Sequence, residues 1–336
     1  MGKVRSEFAK SEFYDGLEVD PGTRTIVLET NVVGHDRLRS MIAAAYGSKE
    51  NPDLEGHVDE RIRDLVAAIG RKYLSTTTML RPADFAKLIQ FVALDILTDF
   101  AFGAPFGYLE RDEDVHEWIK ERHESLAATA VRSVTGPWET DEKGLAKSVA
   151  AERFGPKRVE RQDMLGSFVR NGLTEREART EAVTQMSACI RGGLRIFPPF
   201  SGLLAKVVPP SGDILAGQHI PGGTRIGIAV WAIQRNEVYG ENTDIYEPER
   251  WLEADEERGA KMSRTLETIF GMGENKCIGR NVTRLGAEKV LFEMLRRFDF
   301  TVLDPLNPIK SSNMLFFSQW DMMLRIVMRR DGGIEV

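Results

Sequence analysis

The stretch "FGMGENKCIGRN" (residues 270–281) gathers three glycines around Cys277, one of only two cysteines in a chain of 336 residues. Three chemistries use such a loop: a buried structural thiol, a phosphate cradle and a metal-bound thiolate. A phosphate loop needs Gly-Lys followed by Ser or Thr, so that a hydroxyl reaches magnesium. Here Lys276 follows Asn275 and precedes Cys277. A dinucleotide fingerprint would need a third glycine where Lys276 stands. Both phosphate readings fail, and the thiol and the metal thiolate are left.

Bulk composition narrows the setting. With 42% hydrophobic and 29% charged residues the chain is an ordinary globular one. A formal net charge of −6 gives no reason to expect a nucleic-acid partner. Cys189 and Cys277 form no C-x-x-C pair, which excludes a disulfide scaffold and a four-ligand zinc site. No apolar run approaches the roughly 18 residues that span a bilayer. The first residues fit a loose myristoylation pattern through Gly2 and Ser6.

Helical periodicity dominates residues 34–75 and continues from Pro82, where Leu88, Ile89, Val92, Ile96 and Leu97 form an apolar stripe. It resumes at "EDVHEWIKERHESLAATAV". A polar loop spans Gly136 to Gly144, and a helix and an Asn171-Gly172 turn follow. A second helix starts near Thr174, whose pairing with Glu177 makes a capping box. Beyond residue 195 proline and glycine become frequent. "TRIGIAVWAI" reads as a strand, Arg280 to Phe298 as a helix, and "MLFFSQWDMMLRIVMRR" as strands. The expected fold is mainly α with a small β part, in one domain over residues 1–336.

The metal-thiolate reading fits each position of the opening stretch. Phe270, Gly273, Cys277 and Gly279 spell F-x-x-G-x-x-x-C-x-G. Glycine lets the backbone pass close to a porphyrin face, and loop N–H groups can hydrogen-bond to the sulfur. On these residues the sequence resembles the cytochrome P450 haem-thiolate monooxygenases, of fungal and pisatin-demethylase-like type. "YEPERWL" is similar to the family's P-E-R-F/W segment, with Arg250 as its structural arginine. "GLRIFPPF" resembles the end of the E-x-x-R helix, with Arg195 as the arginine. "HDRLRSMI" resembles the helix that often carries W-x-x-x-R, with His35 and Arg39 at those positions.

The resemblance implies haem b with Cys277 as axial iron ligand, and Arg39 and Lys206 at the haem propionates. It implies electrons from NADPH through a reductase partner, and a lipophilic small-molecule substrate facing Phe200, Gly202, Leu203, Leu204, Phe316 and Phe317. It implies a monomer. The family in fungi is usually tethered to the endoplasmic reticulum; a chain without a tether is expected to be cytoplasmic or peripheral.

Several departures bear on activity. The family's N-terminal anchor, proline-rich hinge and first strands have no counterpart in this sequence. "TEAVTQMSACI" resembles the start of the long central helix, but the sequence then passes directly to "RGGLRIFPP". The A/G-G-x-D/E-T segment occurs nowhere. In the family its acid and alcohol deliver the protons for heterolytic O–O cleavage, so no catalytic pair is identified. Gly192 stands where the glutamate of E-x-x-R belongs, which leaves Arg195 and Arg250 without their carboxylate. Gln234 stands where the family often has histidine. The junction at Ile190–Arg191 is expected to mark a deletion. Two other outcomes follow from it: a haem-thiolate isomerase or dehydratase that needs no oxygen activation, or a non-catalytic truncated product.

Overall fold

A computed structural model describes residues 8–11, 14, 25–43, 53–117, 119, 175–203, 205–313 and 316–329; in the helix that begins at Glu175, side chains are described from Met186 onward. The expected myristoylation site, the Gly136–Gly144 loop, the Asn171-Gly172 turn, the capping box at Thr174 and the substrate candidate Leu204 lie outside the described residues.

The first helices follow their capping chemistry. Helix α1 (Val32–Ile42) starts at Asn31, whose side chain accepts the Gly34 N–H at 3.0 Å. Helix α2 (Leu54–Ala68) buries Leu54, Val58, Ile62, Leu65 and Ala68, one stripe at three- and four-residue spacing. A five-residue π-helical turn, Ile69–Tyr73, ends it. Helix α3 (Phe85–Phe102) is capped by Asp84 and closed by Gly103 in the left-handed region, φ 76°. Its buried face includes polar residues as well as the expected Leu88 and Val92. Asp95 accepts N–H groups from Gly107, Tyr108 and Leu109, and so builds the start of the short helix α4 (Tyr108–Arg111) from inside the core.

The next described helix, α5 (Glu175–Ile196), runs without a break through Ile190–Arg191. The stretches on either side of Ile190–Arg191 therefore lie on one continuous helix. Nothing in "SACIRGGLR" breaks a helix outright, because glycine costs only about 1 kcal/mol there and no proline intervenes. The expected strand over "TRIGIAVWAI" is confined to Arg225–Ile226. Val230–Ile233 turns instead into one helical turn, α6, whose Val230 is fully buried. Helices α7 (Arg250–Glu253), α8 (Glu256–Leu266) and α9 (Arg280–Arg297) complete the helical part. Lys289 on α9 is buried and reaches Glu55 and Asp59 of α2 at 2.5 and 2.7 Å, which ties the two helices together.

Two small antiparallel sheets matter for the site. Strands β2 (Ala83–Asp84), β10 (Met323–Met328) and β7 (Phe298–Val302) form one, in the order β2-β10-β7. Its Leu324, Ile326 and Phe298 pack on Leu65, Ile69, Leu88 and Phe91 in the largest core cluster. The other joins distant parts of the chain, with β1 (Ala9–Lys10) against β3 (Lys206–Val207) and β3 against β6 (Arg225–Ile226). Two hairpins, β4–β5 (Asp213–Leu215, Gln218–Ile220) and β8–β9 (Lys310–Asn313, Phe317–Trp320), form separate two-stranded sheets. Among the described residues no helix is long and apolar enough to cross a membrane.

Candidate functional site

The cysteine loop is held by its own backbone. The Cys277 N–H donates to the Phe270 carbonyl at 2.6 Å, and the Lys276 N–H to the Gly273 carbonyl at 3.1 Å. Gly271 (φ 74°) and Gly273 (φ 61°) take left-handed conformations that other residues adopt only with strain. A Cβ on Gly271 would also lie 3.0 Å from the Asn275 carbonyl oxygen. Phe270 is buried with Val230, Leu266 and Ile269, and Cys277 packs against that cluster. The thiol itself is only half-buried. The Gly279 N–H points at its sulfur, 3.3 Å away. Helix α9 begins three residues later, so its N-terminal dipole faces the sulfur's side of the loop.

Cations flank this loop. Arg39 of α1 donates to the Lys276 carbonyl at 3.1 Å. Lys206 of β3 stands 3.8 Å from Glu274, a residue of the loop. His35 is buried one turn before Arg39; burial first, and then the charge of Lys10, hold its imidazole below the usual range. Burial lowers the Lys10 ammonium to about 8, and the neighbouring Lys206 adds to the effect. Arg39, Lys206, Phe270, Gly273, Cys277 and Gly279 are therefore brought to one loop and its borders. Lys10 and Glu274 join them with no local signal, since a two-residue strand pairing carries none.

The structural arginines occupy a separate place. Arg195 is fully buried, and its guanidinium donates to the carbonyls of Gln234, Thr243 and Ile245. Gly192 precedes it by three residues, and no carboxylate of the described residues forms an ion pair with it. Three carbonyls stand in the carboxylate's place. Its Nε is buried without a partner. Burial, and then the charge of Arg250, lower it to about 10. Arg250 pairs with Glu247 at 2.6 Å. Gln234, at the position where the family often has histidine, is buried and saturated: it donates to the Thr265 carbonyl and the Thr268 hydroxyl, and accepts from the Tyr239 hydroxyl.

A Cβ on Gly192 would meet the ring of Tyr246 at 3.0 Å. Tyr246 is about half exposed and can move aside. Gly192→Glu is therefore expected to stabilise the fold by about 2 kcal/mol, from helix propensity plus a charged partner for Arg195 three residues on. Gly192→Ala should gain about 1 kcal/mol at most, from propensity alone. Equilibrium denaturation of the three proteins checks this, and equal gains for Glu and Ala would count against the pairing.

The aromatic candidates split between two contacts. Phe200 meets Phe316 edge-on at 5.1 Å, and Phe197 meets Phe317 at 5.3 Å. Leu203 is largely exposed and bridges to Ala229. One further group could suggest a metal: His57, Glu60 and Asp99 hold their ligating atoms within 4.8 Å of one another. The Arg61 guanidinium already stands 3.4 Å from Asp99 and 3.1 Å from Glu60, so the cluster carries its own cation.

A half-buried sulfur with an N–H donor, ahead of a helix and beside clustered cations, is the donor set of a haem-thiolate protein. A soft thiolate takes the iron, and the cations match the carboxylates of the porphyrin. The comparisons agree. The family described as Cytochrome P450 matches residues 172–321, which include the cysteine loop. Cytochrome P450 monooxygenase ABA1 of Pyricularia oryzae strain 70-15 is 32% identical, covering 98% of this chain and 80% of the relative. Cytochrome P450 monooxygenase aba1 of Botryotinia fuckeliana strain B05.10 is 26% identical over 97% of this chain and 80% of the relative. The crystal structure of the cytochrome P450DA haem domain superposes with a TM-score of 0.64 at 15% identity, covering 96% of this chain and 84% of that one.

The chain belongs to the cytochrome P450 family, and its relatives are fungal monooxygenases. The match to the Pyricularia protein runs over 412 positions against the chain's 336 residues, so at least 76 positions of that span face no residue here.

Proposed function

We propose that this chain is a haem-thiolate monooxygenase of fungal secondary metabolism that acts on a lipophilic small molecule, with Cys277 as the iron's protein ligand. The observation that carries this reading is the Gly279 N–H on the half-buried Cys277 sulfur, within a loop of left-handed glycines. When bound, the haem supplies oxygen activation. The chain's own residues hold the sulfur in place, donate a hydrogen bond to it and offer cations at Arg39 and Lys206. Phe200, Leu203, Leu204, Phe316 and Phe317 are the proposed substrate-facing groups, apolar as such a substrate requires. Arg195 and Arg250 brace the loop that precedes the cysteine segment. Electrons enter from NADPH through a reductase. The chain folds as one cytochrome P450-like domain from which an internal segment has been lost at Ile190–Arg191. The span of the Pyricularia relative that has no counterpart here supports a loss, and the absence of an A/G-G-x-D/E-T segment after "TEAVTQMSACI" suggests its place.

The lost segment is the one that carries the acid–alcohol pair, so proton delivery to oxygen is the weak step. General acid catalysis contributes roughly 10²–10⁴-fold. Incubated with haem, reductase and NADPH, the chain is expected to consume NADPH and release mostly reduced oxygen, with product formation at least about 100-fold below a relative that keeps the pair. Tight coupling of NADPH to product would contradict the loss of function assigned to the gap. The missing pair also favours a second reading, an isomerase or dehydratase that needs no oxygen. Substrate turnover without NADPH would select it.

A further inference from the structure

We propose that Glu267 is a positioning residue for the cysteine ligand: its carboxylate gathers Lys276, Arg280 and Arg284 beside the loop and sets the charge that the Cys277 sulfur and its iron experience. The proposal rests on the haem-thiolate reading of Cys277 and adds to it a residue outside the F-x-x-G-x-x-x-C-x-G stretch.

Glu267 opens a 3₁₀ turn, Glu267–Phe270, directly ahead of the glycine loop. Its Oε2 lies 2.8 Å from the Lys276 ammonium and 3.5 Å from the Arg280 guanidinium, and its Oε1 accepts from Arg284. Lys276 is the residue before Cys277, while Arg280 and Arg284 stand in the first two turns of α9. One carboxylate therefore ties together the entry of the loop, the residue next to the ligand and the helix that follows. The Arg284 guanidinium also covers the Phe270 ring at 5.1 Å. The Phe270 carbonyl is the one that receives the Cys277 N–H.

This cluster differs from an ordinary surface ion pair. Its four side chains are only 28–32% exposed, so solvent and salt screen them less than a fully exposed pair. Among the described residues no second carboxylate stands within ion-pair distance of the three cations. The start of α9 is also unfavourably charged for its dipole: it carries Arg280 and Arg284, no acidic residue in its first turn and no side-chain cap. Glu267 supplies the missing negative charge from outside the helix. Burial pushes its carboxyl up, but hydrogen bonds from Lys276 and Arg284 outweigh burial and hold it below the usual carboxylate range.

Charge beside the sulfur acts on the iron. Reduction adds an electron to a thiolate-bound iron, and nearby positive charge favours that step. Three cations against one carboxylate leave the cluster at +2, and loss of the carboxylate would leave it at +3. Glu267 thus holds the reduction potential down. It also occupies the ammonium of Lys276, the cation nearest to the sulfur in sequence.

The test is a redox titration of the full chain loaded with iron protoporphyrin IX, read from its spectrum. It compares the natural chain, Glu267→Gln, Glu267→Asp and the double variant Glu267→Gln with Lys276→Gln. Far-UV circular dichroism and thermal unfolding of the haem-free chains are recorded alongside. Glu267→Gln is expected to raise the ratio of reduced to oxidised iron about threefold at a fixed poise, a positive shift of about 30 mV. Salt at about 1 M should remove most of that shift. Glu267→Asp keeps the charge and should stay near the natural potential, even where the shorter side chain loosens the fold. The double variant restores the net charge and should return towards the natural value. Equal shifts in Glu267→Gln and Glu267→Asp, or a shift that salt leaves intact, would reduce Glu267 to a structural clip and overturn the proposal. An unchanged potential in Glu267→Gln would overturn it as well. If Glu267→Gln does not fold or take up haem, Lys276→Gln decides. That variant lowers the net charge and should lower the reduced-to-oxidised ratio about threefold, and an unchanged or raised ratio is incompatible with the proposal. Absence of a thiolate spectrum from the natural chain would sink the haem-thiolate reading itself, a result distinct from any change confined to Glu267.

Discussion

Cys277→Ala is expected to lose the thiolate spectrum completely and to weaken haem retention by at least about a hundredfold. The loop would survive the change. Its conformation is set by the Cys277 N–H on the Phe270 carbonyl and by the left-handed Gly271 and Gly273, none of which needs the sulfur. The helix that follows starts at Arg280 and packs through Val282 and Leu285. Alanine therefore removes a ligand and leaves the fold, so circular dichroism and thermal unfolding of the haem-free chain should barely move. Cys277→His completes the comparison. It should bind haem with the spectrum of an imidazole ligand, because imidazole also suits iron. Thiolate-type spectra persisting in either variant would place the iron elsewhere in the chain.

Arg195→Met is expected to cost about 3–5 kcal/mol, the second large effect. The guanidinium is fully buried and is the donor for the Gln234, Thr243 and Ile245 carbonyls. Methionine fills similar volume and offers no donor, so each carbonyl that water cannot reach costs about 1–3 kcal/mol. Relief from burying an unpaired charge, with Arg250 as a like-charged neighbour, offsets part of this. The damage should reach the haem site through a chain of hydrogen bonds. Arg195 holds the Gln234 carbonyl, the Gln234 amide donates to the Thr268 hydroxyl, and the Thr268 carbonyl accepts the Gly271 N–H of the cysteine loop. Both denaturant midpoint and haem release should therefore worsen together. A variant that loses stability while keeping natural haem release would break this connection. Because total stabilities are about 5–15 kcal/mol, the denaturation measurement is best made on the haem-loaded chain.

The cysteine loop was legible because its requirements are local. Glycine spacing, the phenylalanine that plugs the core and the sulfur all lie within ten residues, and none depends on a distant partner. Helices α2 and α3 were legible through their stripes. Their buried polar residues were not, because Asp95 is justified only by the three N–H groups of α4 that it receives. "TRIGIAVWAI" misleads for a similar reason: β-branched residues favour a strand, but Val230 buries fully as a helical turn beside Phe270. The continuity of α5 across Ile190–Arg191 follows from the absence of any proline there, although the two quoted stretches resemble different helices of the family. Lys10 had no signal of its own. Its place opposite Lys206 depends on which strand pairs with which, and two-residue strands carry no pattern that fixes a partner.

Cys277 is expected to bind haem iron as a thiolate in this chain. The direct measurement is the spectrum of the full chain after loading with haem, reduction and addition of carbon monoxide. A Soret band at the position typical of thiolate ligation is the predicted result. A folded chain that takes up haem but shows only the band of neutral-ligand haem, or that takes up none, would contradict it.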